Sequence, residues 1–255
     1  MTPEEVGVDL EVRDGVAHLA LARPSSANAF DLPTARALRS AVCRIADNDR
    51  VGSVLVSGAG ARFCAGGDVA AMVGAEDRGA YVRELALVVD EALLALGDLR
   101  RPVVAAVQGA VAGAGLALML SCDVVVAEAG TRFASAYAGV GLTPDCGLSW
   151  SLPRAVGQQR ALELLLTRRV LDADEARDWG LVTQVAEQGE ALGRAHQMAL
   201  ELASGPTYAL AQARALVRAS WTTTREAAGR AEADVIGAAV QLPAATSRLA
   251  RFAAR

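Results

Sequence analysis

The sequence is poor in aromatic residues and in histidine. Phe, Trp and Tyr make up 4% of its 255 residues, so the core must be built from Ala, Val and Leu, within a hydrophobic fraction of 53%. His18 and His196 are the only two histidines, and neither belongs to a cluster with Cys or Asp. The sequence therefore gives little support to a zinc site or to a histidine-dependent catalytic triad, and we expect no metal.

Cysteine pairs with metal-ligand spacing are missing as well. The chain has four cysteines and no CxxC motif; they are Cys43, Cys64, Cys122 and Cys146. We expect all four to be buried, reduced thiols that pack as small apolar side chains.

The chain also lacks long apolar runs and a strong excess of one charge. Its longest apolar run, residues 103–120, is interrupted by Gln108 and by glycines, which argues against a transmembrane span. With 25 basic and 29 acidic residues the net charge is −4, so neither nucleic acid nor a membrane surface is an expected partner. The segment up to Asp14 is acidic and mixed, unlike a signal peptide, and we expect a cytoplasmic protein.

Hydrophobic periodicity predicts an α/β part followed by a helical part. Alternating residues on both sides of Asp14-Gly15 predict a β-hairpin. The predicted strands cover residues 8–13, 16–21, 51–57, 103–107, 124–127, 133–135 and 181–185. The predicted helices cover 32–47, 81–96, 114–122, 207–219 and 225–241, with a loop at 139–147. We predict a core at 1–195 and a C-terminal helical region at 196–255.

Two glycine-rich segments are the most informative part of the chain. The first, 62–68, reads Arg-Phe-Cys-Ala-Gly-Gly-Asp, and the second, 109–115, reads Gly-Ala-Val-Ala-Gly-Ala-Gly. Each follows a predicted strand and opens a helix, which leaves backbone N–H groups unpaired at the positive end of a helix dipole. Two such turns can present two donors to one developing negative oxygen. Taken singly, each turn is better explained as an ordinary helix entry in which glycine allows tight packing.

Five segments, in this order, resemble the crotonase (enoyl-CoA hydratase/isomerase) superfamily. They are Arg23-Pro24-x-x-x-Asn28-Ala29-Phe30, 63–68, 108–115, 166–182 and the Gly205-Pro206 segment. The resemblance implies an α/β spiral of β-β-α units with a C-terminal helical layer. It also implies an acyl-CoA thioester substrate, whose coenzyme A is part of the substrate rather than a cofactor, and a homotrimer or a hexamer built through the C-terminal helices.

The resemblance also assigns roles to individual residues. The N–H groups of Gly67 and Ala114 would hold the thioester oxygen of an enolate, which forms when a proton leaves the carbon next to the carbonyl. The implied substrate-binding residues are Arg23, Ser25, Ser26, Ala27, Ala65, Asp68, Val69 and Tyr137. Asp68 is expected mainly to cap the helix that follows it, with its backbone near the ligand.

The acid and base residues decide which reaction the enolate undergoes. Typical hydratases of the family use two glutamates, and the matching positions here hold Ala117 and Tyr137, neither of which is a carboxylate base. Asp145 lies in a Pro-Asp-x-Gly loop that resembles the loop of double-bond and ring-epoxide isomerases. One carboxylate suffices to move a proton between two carbons. Alternatively, Asp145 caps a turn or the helix toward Trp150.

Three functions remain open on the sequence alone. The favoured one is an enoyl-CoA double-bond isomerase with Asp145 as the proton shuttle. The second is an atypical hydratase, or another enolate reaction such as dehalogenation or ring-epoxide isomerisation. The third is a catalytically silent acyl-CoA-binding protein, which the absence of both glutamates suggests.

Overall fold

The computed structural model describes residues 7–254 of the chain. Within them the strands are β1 Val8–Arg13, β2 Val16–Leu21, β3 Ser53–Gly58, β4 Val103–Val107, β5 Ala110–Ala112, β6 Val124–Glu128, β7 Arg132–Ala134, β8 Val170–Leu171 and β9 Gln184–Ala186. The helices are α1 Leu32–Ala46, α2 Val69–Gly74, α3 Arg78–Asp98, α4 Ala114–Ser121, α5 Tyr137–Val140, α6 Leu148–Val156, α7 Gln158–Leu166, α8 Ala173–Trp179, α9 Ala191–Ala203, α10 Thr207–Ala219, α11 Arg225–Ala239 and α12 Pro243–Ala253.

A six-stranded sheet forms the centre of the molecule, in the order β1-β2-β3-β4-β6-β9. β1 and β2 form the antiparallel hairpin, and the remaining neighbours are parallel. Every residue of β4 is buried, because helices cover both faces of the sheet. Val103, Ala105 and Val107 pack in the cluster that contains α1, α3 and α4, whereas Val104 and Ala106 pack with α9.

A smaller sheet, in the order β5-β7-β8, carries the second glycine-rich segment. β5 follows β4 after two residues and pairs in parallel with β7, which pairs antiparallel with the short β8. α4 then begins at Ala114, so the chain passes from the central sheet through the small sheet into a buried helix within a dozen residues. This connection positions the candidate site.

The C-terminal helices contact the core mainly through α10. Arg214 of α10 donates hydrogen bonds to the carbonyl oxygens of Leu96, Gly97 and Leu99, at the C-terminal end of α3. Arg214 and Arg218 also form ion pairs with Asp123. α11 and α12 contain no buried residue, and within residues 7–254 no helix has the length and apolar character needed to cross a membrane.

Most of the predicted elements are confirmed. The hairpin strands, β4 and α10 have the predicted bounds, and Asp31 caps α1 by accepting a hydrogen bond from the Thr34 N–H. Ala, Val and Leu make up most of the core, together with a few buried Phe side chains.

Some predictions were wrong. α3 continues through Gly97 and Asp98, beyond its predicted end at residue 96, and the expected 139–147 loop begins inside the short helix α5. β5, β8 and α12 were not predicted, and no separate bounds were predicted for the helices from α6 to α9. Cys43 is exposed rather than buried, because it lies on the solvent side of α1, although all four cysteines are free thiols.

Candidate active site

The two glycine-rich segments lie side by side. The Phe63 N–H donates to the Gln108 carbonyl at 2.8 Å, and the Cys64 N–H donates to the Ala110 carbonyl at 3.2 Å. The Ala112 N–H returns a hydrogen bond of 3.0 Å to the Cys64 carbonyl. Cys64 and Val111 therefore form a parallel bridge, which extends the small sheet by one short segment. The sequence predicted two turns; the structure brings them together.

Two glycines allow this close approach. A Cβ atom on Gly115 would lie 2.4 Å from the Cys64 carbonyl oxygen, so no larger residue fits between α4 and this segment. Gly66 has a φ of +101°, and a Cβ atom there would lie 3.0 Å from the Ala112 oxygen and 3.4 Å from the Ala114 nitrogen. The backbone that leads into Gly67 thus lies against the first residue of α4.

The N–H groups of Gly67 and Ala114 are both free to bind a ligand. The Phe30 N–H donates to the Gly66 oxygen and the Asp68 N–H donates to the Phe30 oxygen, which leaves the Gly67 N–H outside this ladder. Ala114 is the first residue of α4, and the N-cap residue Gly113 has no side chain that could cap the helix. Neither N–H has an acceptor within residues 7–254. The arrangement can bind an oxygen that acquires negative charge.

The predicted ligand loop lies next to the first of these donors. The Ala65 N–H donates to the Ala27 carbonyl at 3.1 Å. The Arg23 guanidinium forms ion pairs of 3.1 Å with both Asp31 and Asp68, and its own side chain is 20% exposed. Asp68 accepts from the Ala71 N–H and caps α2, as predicted. The Arg23 guanidinium therefore stabilises the loop conformation, and because two carboxylates bind it, few of its N–H donors remain for a phosphate.

The remaining residues predicted for substrate binding flank this loop. Ser25 is exposed and Ser26 is half-buried, within a single turn of 3₁₀ helix that ends at Ala27 in the left-handed region. Val69 begins α2 and is 51% exposed, as is Val73 one turn later at 57%. These residues and Ala65 line one edge of the glycine turns.

Tyr137 and Asp145 lie on the other side of the second turn. The Tyr137 ring is buried, and its Cζ atom is 3.8 Å from the position of a Cβ atom on Gly113. Its hydroxyl donates a hydrogen bond of 2.6 Å to Oδ1 of Asp145. Burial and the nearby Asp145 carboxylate both raise the pKa of Tyr137, so the phenol keeps its proton and acts as a donor, as expected from the sequence.

The side chain of Asp145 does not cap a helix. α6 begins after Gly147, which has no capping side chain, and the loop is closed by the backbone hydrogen bond from the Leu148 N–H to the Asp145 carbonyl. The carboxylate is half-buried and accepts from Tyr137. The interpretation of Asp145 as the cap of the helix toward Trp150 was therefore wrong, and its carboxylate binds the Tyr137 hydroxyl instead.

The cysteines near this site do not act as nucleophiles. Cys64 is fully buried, and burial raises its pKa to about 12. Burial and the charge of Asp145 raise the pKa of Cys146 as well, and its thiol lies 3.8 Å from the Ala86 carbonyl of α3. Both side chains remain protonated thiols that pack the loop and the turn against neighbouring elements.

Sequence reasoning missed Asp90 of α3. Its Oδ1 atom lies 3.6 Å from the position of a Cβ atom on Gly147, and burial together with the charges of Asp145 and Glu91 raises its pKa. A cavity of about 690 Å³ runs from Cys146 and Gly147 past Asp90 toward α10. Within residues 7–254 no group of His, Cys, Asp and Glu side chains forms a candidate metal site.

Known proteins resemble this chain in sequence over most of its length. The sequence profile described as "Enoyl-CoA hydratase/isomerase" matches residues 11–252. The chain is 33% identical over 247 residues to 4-chlorobenzoyl coenzyme A dehalogenase-2 from Arthrobacter sp., covering 96% of this chain and 90% of that protein. It is 34% identical over 218 residues to 1,2-epoxyphenylacetyl-CoA isomerase from Escherichia coli (strain K12), covering 84% and 82%.

Solved structures show the same similarity at the level of the backbone. A protein from Streptomyces coelicolor A3(2), assigned as an enoyl-CoA hydratase, superposes with a TM-score of 0.93. The two chains are 33% identical, and the match covers 99% of this chain and 93% of the other.

Proposed function

The chain belongs to the crotonase (enoyl-CoA hydratase/isomerase) superfamily, and we propose that it is an enoyl-CoA double-bond isomerase in which Asp145 moves the proton. Its α/β fold, with two mixed sheets and a C-terminal helical region, is the crotonase fold that the resemblance implied. The observation that carries the proposal is the hydrogen bond from Tyr137 to Asp145. It places one carboxylate beside the second glycine turn, where Ala117 supplies only a buried methyl group.

The N–H groups of Gly67 and Ala114 supply the electrophilic half of the reaction. They donate hydrogen bonds to the thioester oxygen, and these bonds become stronger as that oxygen acquires negative charge in the enolate. In other enzymes the loss of one such donor costs about 3–4 kcal/mol of transition-state stabilisation. Because both donors belong to the backbone, their position depends on the glycine packing described above.

Asp145 supplies the proton transfer. Its carboxylate removes a proton from C2 of a 3-enoyl thioester, the electron pair moves onto the thioester oxygen, and reprotonation at C4 leaves the double bond between C2 and C3. Tyr137 holds the carboxylate in position through its hydroxyl. A hydratase of the usual kind needs two carboxylates at positions that here hold Ala117 and Tyr137.

The coenzyme A portion binds along the loop from Arg23 to Ala27 and the adjoining first glycine segment. Ser25 is exposed and Ser26 and Ala27 are partly exposed beside Ala65, and Arg23 shapes the loop through its ion pairs. Asp68 and Val69 complete the edge that leads to the Gly67 donor.

The C-terminal region, 196–255, serves assembly into a homotrimer or a hexamer. Within residues 7–254, α11 and α12 bury no side chain, and Ile236 and Phe252 are 70% and 79% exposed. Apolar side chains with this exposure are covered when helices pack on a second copy of the chain.

A second candidate function uses the same two N–H donors on an acyl group that contains a ring. The relatives named above are a chlorobenzoyl-CoA dehalogenase and an epoxyphenylacetyl-CoA isomerase, and both names specify a ring in the acyl group. The cavity of about 690 Å³ that Cys146 and Gly147 line, next to Asp145 in the chain, is large enough for a ring.

One substrate comparison tests these functions. Purified protein is incubated in D2O with 3-enoyl-CoA, 2-enoyl-CoA, 1,2-epoxyphenylacetyl-CoA and 4-chlorobenzoyl-CoA, beside Asp145→Asn and, as a control, Asp47→Asn. Asp47 is an exposed carboxylate directly after α1 and does not line the cavity. We expect double-bond migration in the wild type and in the control, and its loss in Asp145→Asn.

The other outcomes separate the alternatives. Hydration that survives in Asp145→Asn contradicts the proposal, because it shows a base elsewhere. Turnover of the ring substrates alone favours the second candidate. Tight binding of acyl-CoA without turnover of any substrate identifies a catalytically silent protein.

A further inference from the structure

Building on the isomerase function proposed above, we propose that Asp90 is a second catalytic carboxyl group. It delivers the proton to C4 of the acyl chain, after Asp145 has removed a different proton from C2. The structure suggests this division because the two carboxyl groups flank the Cys146-Gly147 turn from opposite elements, α3 and the loop before α6.

Asp90 faces the cavity that adjoins the site. Its Oδ1 atom is 3.6 Å from the position of a Cβ atom on Gly147, and Asp90, Cys146 and Gly147 all line the cavity. The Cys146 thiol in turn lies 3.8 Å from the carbonyl of Ala86, one helical turn before Asp90. The Asp145 loop thus packs directly on the turn of α3 that carries Asp90.

The Asp90 carboxyl has no structural partner. Within residues 7–254 it makes no side-chain hydrogen bond and no ion pair, although it lies on a helix whose neighbouring acid, Glu91, pairs with Arg39. The cations nearest along the cavity, Arg214 and Arg218, pair with Asp123. Asp90 therefore gains no hydrogen bond or ion pair that would offset the cost of its partial burial.

The charged groups around Asp90 favour its protonated form. Asp145 faces it from the loop and Glu91 adjoins it on α3, and both charges add to the burial that raises its pKa. The neutral Cys146 thiol directly follows Asp145 in the chain and supplies no positive charge. A carboxyl group that keeps its proton closer to neutral pH is suited to donate it.

The proposed step balances as follows. The Asp145 carboxylate takes the C2 proton, and the electron pair of that C–H bond enters a dienolate held by the Gly67 and Ala114 N–H groups. The dienolate then collapses: its electron pair forms a C4–H bond with the proton of the Asp90 carboxyl, and the double bond settles between C2 and C3. Asp145 is left protonated and Asp90 ionised, and one proton transfer through solvent restores both.

An isotope experiment tests the role of Asp90. A 3-enoyl-CoA carrying deuterium at both C2 positions is converted in ordinary water, and mass spectrometry or NMR measures the deuterium that reaches C4. In the wild type we expect C4 to receive protium, because Asp90 exchanges with solvent. In Asp90→Asn the proton must return through Asp145, so the label at C4 rises several-fold while the turnover falls at least about tenfold.

Two further variants serve as controls, and the outcomes are distinct. Asp90→Glu keeps a carboxyl group and should restore the protium at C4, whereas Asp47→Asn, outside the cavity, should match the wild type in rate and label. An equal label at C4 in the wild type and Asp90→Asn overturns the role of Asp90 alone. A wild type that does not move the double bond overturns the isomerase function, and the role of Asp90 with it.

Discussion

The substitution Gly115→Ala tests whether glycine packing positions the two N–H donors. The added methyl group would lie 2.4 Å from the Cys64 carbonyl oxygen and 2.7 Å from its Cβ atom. Nonbonded heavy atoms settle about 3.5–4.0 Å apart, so α4 and the 63–65 segment must separate by roughly 1 Å. The donor at Ala114 lies on α4 and the donor at Gly67 follows the 63–65 segment, so the separation changes the distance between them.

Two consequences of different size follow. Overpacking costs about 1–3 kcal/mol of unfolding free energy, which lowers the melting temperature of a chain of this length by roughly 2–12 °C. A misplacement of about 1 Å in a catalytic group costs on the order of a hundredfold in rate. We therefore expect Gly115→Ala to fold and melt somewhat early, and to lose most of its kcat/KM toward 3-enoyl-CoA.

Gly193→Ala is the matched control. Gly193 lies inside α9, is exposed, and a Cβ atom there has no heavy atom within 4 Å. Alanine is favoured over glycine inside a helix by about 0.5–1 kcal/mol, so this variant should be slightly more stable and fully active. If Gly115→Ala keeps the wild-type kcat/KM and melting temperature, the close approach is not what positions the donors.

Three further predictions concern single side chains. Tyr137→Phe removes the hydrogen bond that holds the Asp145 carboxylate in position, so kcat toward 3-enoyl-CoA should fall about tenfold, for a loss of roughly 1.4 kcal/mol, while KM changes little, as steady-state kinetics can show. The exposed Cys43 should react with iodoacetamide at pH 8 in the folded protein, whereas Cys64, with a pKa of about 12, should react only after unfolding, as peptide mass spectrometry can show. The raised pKa of Asp90 means that the folded protein binds this proton more tightly than the unfolded chain, so the contribution of Asp90 to stability falls as pH rises through that pKa. Urea unfolding should accordingly show Asp90→Asn to be more stable than the wild type at pH 7, with a difference that disappears in acid below the ordinary carboxyl pKa of 3.8.

The elements that the sequence predicted well are those with local causes. The Asp14-Gly15 turn and the alternation beside it determine the hairpin, and the all-apolar run 103–107 can only be a strand covered on both faces. The two glycine turns could be predicted because a positive φ or a close backbone approach requires glycine, and each glycine can be read directly from the sequence.

The features that the sequence did not predict depend on contacts between distant segments. β8 has two residues and exists because β7 offers it an edge. The position of Asp90 next to Gly147 follows from the packing of α3 on a loop more than fifty residues later in the chain. Its one local signal was a carboxylate among the apolar residues of α3, between the buried Val89 and Ala92.

The three hydrogen bonds from Arg214 to the end of α3 connect the C-terminal helix α10 to the helix that carries Asp90. Carbonyl groups at a helix end have no partners within the helix, so Arg214 acts as a C-terminal cap that belongs to another helix. When α10 separates from the core, the last turns of α3 lose this cap and should exchange their amide hydrogens faster, up toward Asp90. Subunit association that holds α10 in place would then slow this local opening and keep the acid of α3 at its distance from Asp145.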